Sequence, residues 1–337
     1  NYNQNSGYGK GILSRLNAVA AGICPTFGRL LIVMKAANPN YDVISDIVKT
    51  DPDGDVRLFT TLAAAYAAAE TNRNDVILLG AYGSHHQVSG MLTWAKNRIH
   101  VIGLGTNGAV DPQPEIQLSD NTADAAATIK VTGYGNTFTN IYITNAGTHA
   151  NSVTALWDAG ENNVYTNCQF FKFSDANVAA VSHVEARGDT STFRRCKFGA
   201  DWIVMSAARF GLHIKGTGVS ARMKHNIFED CYFVVSSSSA DYEHIHVYDT
   251  SSVAFGNIFK NCVFHNSLVS AGSAAAIDDA VNSVSGLVEG NLFFVNPTCN
   301  STSFCSTANQ LTVVGFGLTD GATPDGSALC GIAITPD

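Results

Sequence analysis

The chain has 337 residues, 45% of them hydrophobic and 14% charged, with a formal net charge of −8. So little charge at that hydrophobicity excludes a disordered chain and a coiled coil, which draws on Glu, Lys and Leu. The acidic balance, without a stripe of Lys and Arg, sets nucleic acid aside as a direct partner, and apolar runs, such as residues 30–34, are far too short for membrane insertion.

Residues 1–55 carry no copy of the repeat that follows and are expected to form an N-terminal arm or cap, since an open solenoid end exposes core and strand edges. A helix is expected near residues 11–21 and an apolar strand over 29–35. Residues 11–22 lack the ordered charged, apolar and cleavage regions of a secretory leader, so the chain reads as soluble. Asp51, Asp53 and Asp55 resemble a fragment of a Ca²⁺ loop, but the closing Glu is absent and a turn is the better reading. Residues 60–71 are nearly all helix formers behind a capping Thr60 or Thr61. With the strand at 75–79, this helix is placed to plug the solenoid.

From Asn136 onward one pattern recurs: Asn, any residue, aromatic, any, polar, Cys or Ile, any, then Phe or Ile. Its copies are Asn136, Phe138, Asn140, Ile141, Ile143; then Asn163, Tyr165, Asn167, Cys168, Phe170; then Ser191, Phe193, Arg195, Cys196, Phe198. They continue with Asn226, Phe228, Asp230, Cys231, Phe233 and with Asn257, Phe259, Asn261, Cys262, Phe264. A weaker copy starts at Asn291 with Phe293, and Asn97, Ile99, Val101, Ile102, Leu104 form a first turn. The aromatic positions 138, 165, 193, 228, 259 and 293 are 27, 28, 35, 31 and 34 residues apart. Short alternating segments broken by Asn, Gly, Asp and Ser are strand and turn chemistry, not the 3.6 period of helical repeats. The expected fold is all-β: a single-stranded right-handed parallel β-helix over 56–298, with about three short strands a coil. Coils stacked about 4.8 Å apart set like residues over like, with the leading Asn in a turn that tolerates a left-handed backbone. Residues 299–337 are expected to be a C-terminal cap or tail.

Four of the eight Cys, namely Cys168, Cys196, Cys231 and Cys262, then form an interior ladder with Phe138, Tyr165, Phe193, Phe228 and Phe259. Zinc sites use close pairs, so these thiols read as small buried hydrophobes, and in reduced form they suit assembly in a cytoplasm. A local disulfide between Cys299 and Cys305 is left open. Alternation near 182–186, 212–214 and 245–247 turns His183, Glu185, His213, Lys215, His244 and His246 outward. The leading histidines, 30 and 31 residues apart, are read as one stacked outer column, a candidate ligand or interface face. Asp278 and Asp279 sit in loop-like sequence, and the P-loop, G-x-S-x-G and H-E-x-x-H patterns are absent. No catalytic residue, metal site or cofactor is assigned.

The run from residue 59, FTTLAAAYAAAETNRNDVILLGAYGSHH followed by NRIHVIGLG, resembles the leading segment of pectate-lyase-like β-helix proteins. Gly80-Ala81-Tyr82 stands where that superfamily has a Pro-Gly element. More narrowly, residues 28–79, from GRLLIVMKAANPNYDVISDIVKTDPDGDV to NDVILL, look like the leader of β-helix proteins encoded in tailed-phage genomes. The resemblance implies a structural virion protein, a capsid decoration or head-fibre protein, and supplies no catalytic residues. By the same analogy the partners are further copies of itself, as a homotrimer, and the phage capsid protein, and the location is the virion after assembly in the host cytoplasm. The alternatives are a tailspike-like protein that binds or degrades a host surface glycan, and an extracellular adhesin.

Overall fold

The computed structural model describes residues 28–38, 41–50, 54–80, 86–105, 113–118, 124–173, 181–205, 209–216, 223–237, 242–249, 252–267, 279–282, 292–299, 303–305, 311–314 and 317–318. Among them the chain winds through three parallel sheets of eleven, nine and eight strands, termed sheets I, II and III. A coil takes one strand from each. Thr137–Thr139 lies in sheet I, Tyr142–Asn145 in sheet II and Thr154–Asp158 in sheet III, and the next coil begins at Val164–Thr166 in sheet I.

The bend from sheet I to sheet II is tight, and one residue in each takes a positive φ: Asn140 (57°), Asn167 (53°), Arg195 (52°), Asp230 (55°), Asn261 (53°) and Asn296 (49°). Asn and Asp enter this region most readily among residues with a Cβ. The leading asparagines do something else than expected. Asn136, Asn163, Asn226 and Asn257 are buried, and the left-handed residues Gly135, Asn162, His225 and Gly256 precede them. Each leading Asn satisfies the backbone of a neighbouring coil: Asn163 Oδ1 accepts from Asn136 N (3.0 Å) and Asn257 Oδ1 from Asn226 N (3.1 Å). A polar side chain in the core is tolerated because its donors and acceptors are met.

Inside, the aromatic ladder is as expected. Phe138, Tyr165, Phe193, Phe228 and Phe259 stack at successive centroid distances of 5.2, 4.5, 4.8 and 4.4 Å. The next ring is Phe294 at 4.8 Å, not Phe293, because Phe259 pairs with Phe294 in register. A second column, Phe170, Phe198, Phe233 and Phe264, rises from sheet II. Cys168, Cys196, Cys231 and Cys262 are buried free thiols between the two columns' strands, and each Sγ donates to a carbonyl one coil away. The side chains of Cys299 and Cys305 lie outside the described set.

Parallel pairing runs past both expected limits of 56 and 298. Leu30–Val33 joins sheet I beside Val76–Gly80, and strands Thr298–Cys299, Ser303–Cys305, Leu311–Val314 and Gly317–Leu318 extend all three sheets. The short strands at either end lack the repeat's spacing of Asn, aromatic and Cys and so escaped it. The helix expected at residues 11–21 and most of the 51–55 turn lie outside the described residues.

Among the described residues two helices precede the regular coils: α1 (Tyr41–Val48) and α2 (Leu62–Ala68). Thr61 caps α2 by accepting from Ala64 N, and Lys96 Nζ donates to the carbonyls of Tyr66, Ala67 and Ala69 at the other end, where a cation also suits the helix dipole. Tyr66 stacks on Trp94 at 4.0 Å and Trp94 meets Phe138 edge-on at 5.3 Å, so α2 closes the aromatic column. Fully buried Asp75 fastens this end. Both its oxygens take Arg73 at 2.7 Å, and it also accepts from Arg29 N and Glu70 N.

Candidate functional site

The strands of sheet III carry unlike side chains on their outer face. Register places Lys130, Trp157, Glu185, His213, His246 and Asn282 in one row. One step past the strand ends, Arg187, Lys215 and Tyr248 form a second row through Lys215 N to Ala186 O (3.1 Å) and Tyr248 N to Ile214 O (3.0 Å).

These rows are knit together. Lys130 Nζ lies 3.9 Å and Arg187 Cζ 4.2 Å from the Trp157 ring centre, close enough for cation–π attraction. Arg187 Nε donates to Glu185 Oε1 at 2.7 Å, and His213 Nδ1 stands 3.9 Å from Glu185 Oε2. His246 Nδ1 and Glu243 Oε2 are 2.5 Å apart, and the carboxylate, which only accepts, holds a proton on Nδ1. Phe210 lies flat on the His246 ring at 4.1 Å. Lys215 Nζ sits 5.1 Å over Tyr248, a ring 54% exposed. Glu185 and His213 are buried beneath this surface, while Trp157, Phe210, Glu243, His246 and Lys215 are partly open.

Of the six residues taken from the sequence, four converge here: Glu185, His213, Lys215 and His246. His183 and His244 do not, and they are not outward-exposed; both are fully buried. Nor do the three leading histidines stack. Glu185 pairs with His213 and His213 with His246, steps of 28 and 33 residues, whereas the histidines 183, 213 and 244 are 30 and 31 apart. His183 and His244 instead flank Gly211 in another row. They sit at the corner of sheets II and III beside a small second core of Phe171, Ala200, Val235 and Tyr242. There His183 stacks on Phe171 (5.2 Å) and accepts from Lys172 N (3.1 Å), and His244 packs against Tyr242 and Phe264. Gly199 (φ +100°) lies against the His183 ring; a Cβ there would also meet Val234 O at 2.1 Å.

Burial pushes His183 and His244 down to about 3, helped by Lys172 for the first and by His265 and His183 for the second. His213 is also pushed down to about 3, by burial and then by His246, Lys215 and Arg187. All three are neutral imidazoles near neutral pH. On the inner side of the same sheet, buried Asp158 is pushed up to about 6 by burial, against hydrogen bonds from Asn163 and Gly160 that favour its charged form.

Lys130, Trp157, Arg187, Phe210 and Tyr248 were not singled out in the sequence. A signal existed: Trp157, Glu185, His213 and His246 follow the aromatics Phe138, Tyr165, Phe193 and Phe228 by 19, 20, 20 and 18 residues. Counting from the ladder, rather than from histidine to histidine, recovers the row.

No protein-family model and no curated protein matches this sequence. Solved structures do match in shape. Pectin methylesterase PemA from Erwinia chrysanthemi superposes with TM-score 0.55 at 12% identity, over 89% of this chain and 92% of that one. Pectate lyase Pel9A gives 0.53 at 13% identity, over 89% and 78%. ORF18 of Geobacillus virus E2 gives 0.55 at 12% identity, over 76% of this chain and 48% of that one. The fold is a pectate-lyase-like, right-handed parallel β-helix.

Within this β-helix the outer face of sheet III is a polar surface with aromatic rings, and its carboxylates are already engaged, Glu185 by Arg187 and Glu243 by His246. Among the described residues no group of three or more His, Cys, Asp or Glu is arranged to hold a metal ion. The chemistry on offer is the His246 imidazole, the Lys215 cation, the Tyr248 hydroxyl and exposed ring faces.

Proposed function

We propose that this β-helix is a surface protein of a tailed-phage virion that holds a host-surface polysaccharide against the outer face of sheet III, as a tailspike does. One observation carries the reading: the clustering on one face of Phe210, Tyr248, Lys215, His246 and Glu243, ring surfaces beside polar groups fixed by their neighbours. Sugar rings lie on aromatic faces while hydroxyls take directional hydrogen bonds, and this combination supplies both. Binding is favoured over glycoside cleavage. A glycosidase needs one carboxyl free to give its proton and a second free to attack or to activate water, and both glutamates here are tied.

The test is retention of purified bacterial capsular and O-antigen polysaccharides on the immobilised protein. Wild type should retain at least one of them, and Lys215→Ala or Tyr248→Ala should weaken retention about tenfold, the scale of one lost polar or stacking contact. Equal retention by the variants, or none by wild type across the panel, overturns the assignment to this face.

A second reading, a capsid decoration protein assembled as a trimer, draws support from the phage protein among the structural neighbours. The same face would then be a contact between copies. Electron cryomicroscopy of source particles distinguishes the two: regular icosahedral copies favour decoration, a few copies at the tail favour the tailspike role.

A further inference from the structure

Three inner ladders each depart from their rule once among the described residues, and the three departures meet. In the row Trp94, Val131, Asp158, Ala186, Ile214 and Val247, Asp158 alone is ionisable. In the ring column from Phe138 to Phe294, Tyr165 alone has a hydroxyl. In the asparagine ladder, Ser191 takes the place that Asn136, Asn163, Asn226 and Asn257 hold in other coils. Asp158, Tyr165 and Ser191 are buried and face one another at the turn from sheet III to sheet I.

The amide oxygens of Asn136, Asn163, Asn226 and Asn257 accept in turn from Ile99 N (2.9 Å), Asn136 N (3.0 Å), Ser191 N (2.7 Å) and Asn226 N (3.1 Å). The rung between them, from Asn163 N, falls to Ser191. A serine oxygen sits one bond closer to its backbone than an amide oxygen does, and this rung is not made: Ser191 Oγ has no hydrogen-bond partner, and neither has Tyr165 OH. Asp158 takes its hydrogen bonds on Oδ1, from Asn163 Nδ2 (3.1 Å) and Gly160 N (3.4 Å). The bend beside the cluster is strained as well. Thr190 has φ 57°, the region that Gly135, Asn162, His225 and Gly256 occupy at the equivalent bends, and a β-branched residue suits it least.

Buried polar groups without partners weaken a fold where they lie, and local opening starts where the fewest contacts oppose it. We infer that the coil around Asp158, Tyr165 and Ser191 is a joint at which the stack opens locally, and that the charge on Asp158 controls the opening. The groups acting on the carboxyl are Ser191, Asn163, Gly160 and Tyr165, none of them a cation. Val131 and Ala186 stand before and after it in its row, and the thiols of Cys168 and Cys196 lie by Tyr165. Burial pushes the folded pKa of Asp158 up to about 6 from 3.8. The raised value sets the sign: the stability is present below 3.8 and is lost as pH rises to about 6, so the joint loosens toward neutral pH.

The test is hydrogen–deuterium exchange of the full chain at pH 5 and pH 7, read by mass spectrometry and converted to protection so that the intrinsic exchange rate cancels. At pH 7, residues 160–166 and 190–194 should open about tenfold more often than residues 257–264, where the ladders are complete. Ser191→Asn supplies the missing amide and should raise protection at residues 160–166 at both pH values. Asp158→Asn is compared with wild type at each pH, so that the buried histidines cancel. The excess opening of wild type over that variant should be about tenfold larger at pH 7 than at pH 5. The wild-type comparison needs no variant to fold. Equal protection of the two regions at pH 7 overturns the joint, as does Ser191→Asn leaving residues 160–166 unchanged. An excess of the same size at both pH values overturns control by Asp158.

Discussion

The interior between sheets I and II and the outer face of sheet III are built from the same coils, yet they obey different rules. Inside, position after position repeats: ring on ring, thiol on thiol, amide on amide. On the outer face the described rows are mixed; Lys130, Trp157, Glu185, His213 and His246 follow one another in one register row. The core gains from sameness because identical flat groups stack without voids. The outer face is held by unlike neighbours, cation on ring and carboxylate on imidazole. Repetition thus marks the scaffold, and the break in repetition marks the surface open to specialisation.

The sharpest way to break this contrast is to remove one ring from the column. Phe193→Ala, flanked by Tyr165 and Phe228 at 4.5 and 4.8 Å, should cost about 3–5 kcal/mol, read as a lowered urea midpoint. A loss below 1 kcal/mol would show that neighbouring coils collapse into the gap.

Acid acts on sheet III and its corner with sheet II. His183, His213 and His244 have folded pKa values pushed down to about 3, against an ordinary value of 6.5. Below 6.5 the unfolded chain binds protons that the folded chain refuses, so stability falls as pH drops from about 6.5 toward 3. Melting temperatures measured across that window should decline, and His183→Gln should flatten part of the slope. An unchanged slope in that variant would remove His183 from the account.

Asp158 has the opposite sign. Its folded pKa, raised to about 6 from 3.8, means that the fold loses stability as pH climbs between those values. Asp158→Asn should therefore be neutral or stabilising at pH 7, by up to about 1–3 kcal/mol, and close to neutral or unfavourable at pH 4. Urea melts at the two pH values check this. Smallest of all, Lys130→Ala removes one of the two cations over Trp157 and should cost about 0.5–1 kcal/mol, visible as a shift in Trp fluorescence with little change in Tm.

The same contrast explains what could be read from the amino acids. The ladder of Phe138, Tyr165, Phe193, Phe228 and Phe259 and the four buried cysteines were legible because stacking writes them into the sequence at nearly equal intervals. α2 was legible from its Thr61 cap and its run of helix formers. The outer face was legible only in part, because its row changes residue type from coil to coil and takes steps of 28 and 33 residues, so no repeated motif marks it. His183, His213 and His244 share a spacing but not a row. Phe293 was misplaced by one residue for a related reason: two adjacent phenylalanines gave no alternation to choose between them, and register chose Phe294.

The tight pairing of each coil with the next also bears on how the chain is made. Ladder partners such as Phe138 with Tyr165, or Asn226 with Asn257, are separated by 27 and 31 residues, so the ladders need no partner from a distant end. A ribosome adds about 5–20 residues per second, delivering one coil every few seconds. Each new coil can dock on the finished one beneath it while the rest is still unmade, and α2, made before the regular coils, gives the growing stack a floor.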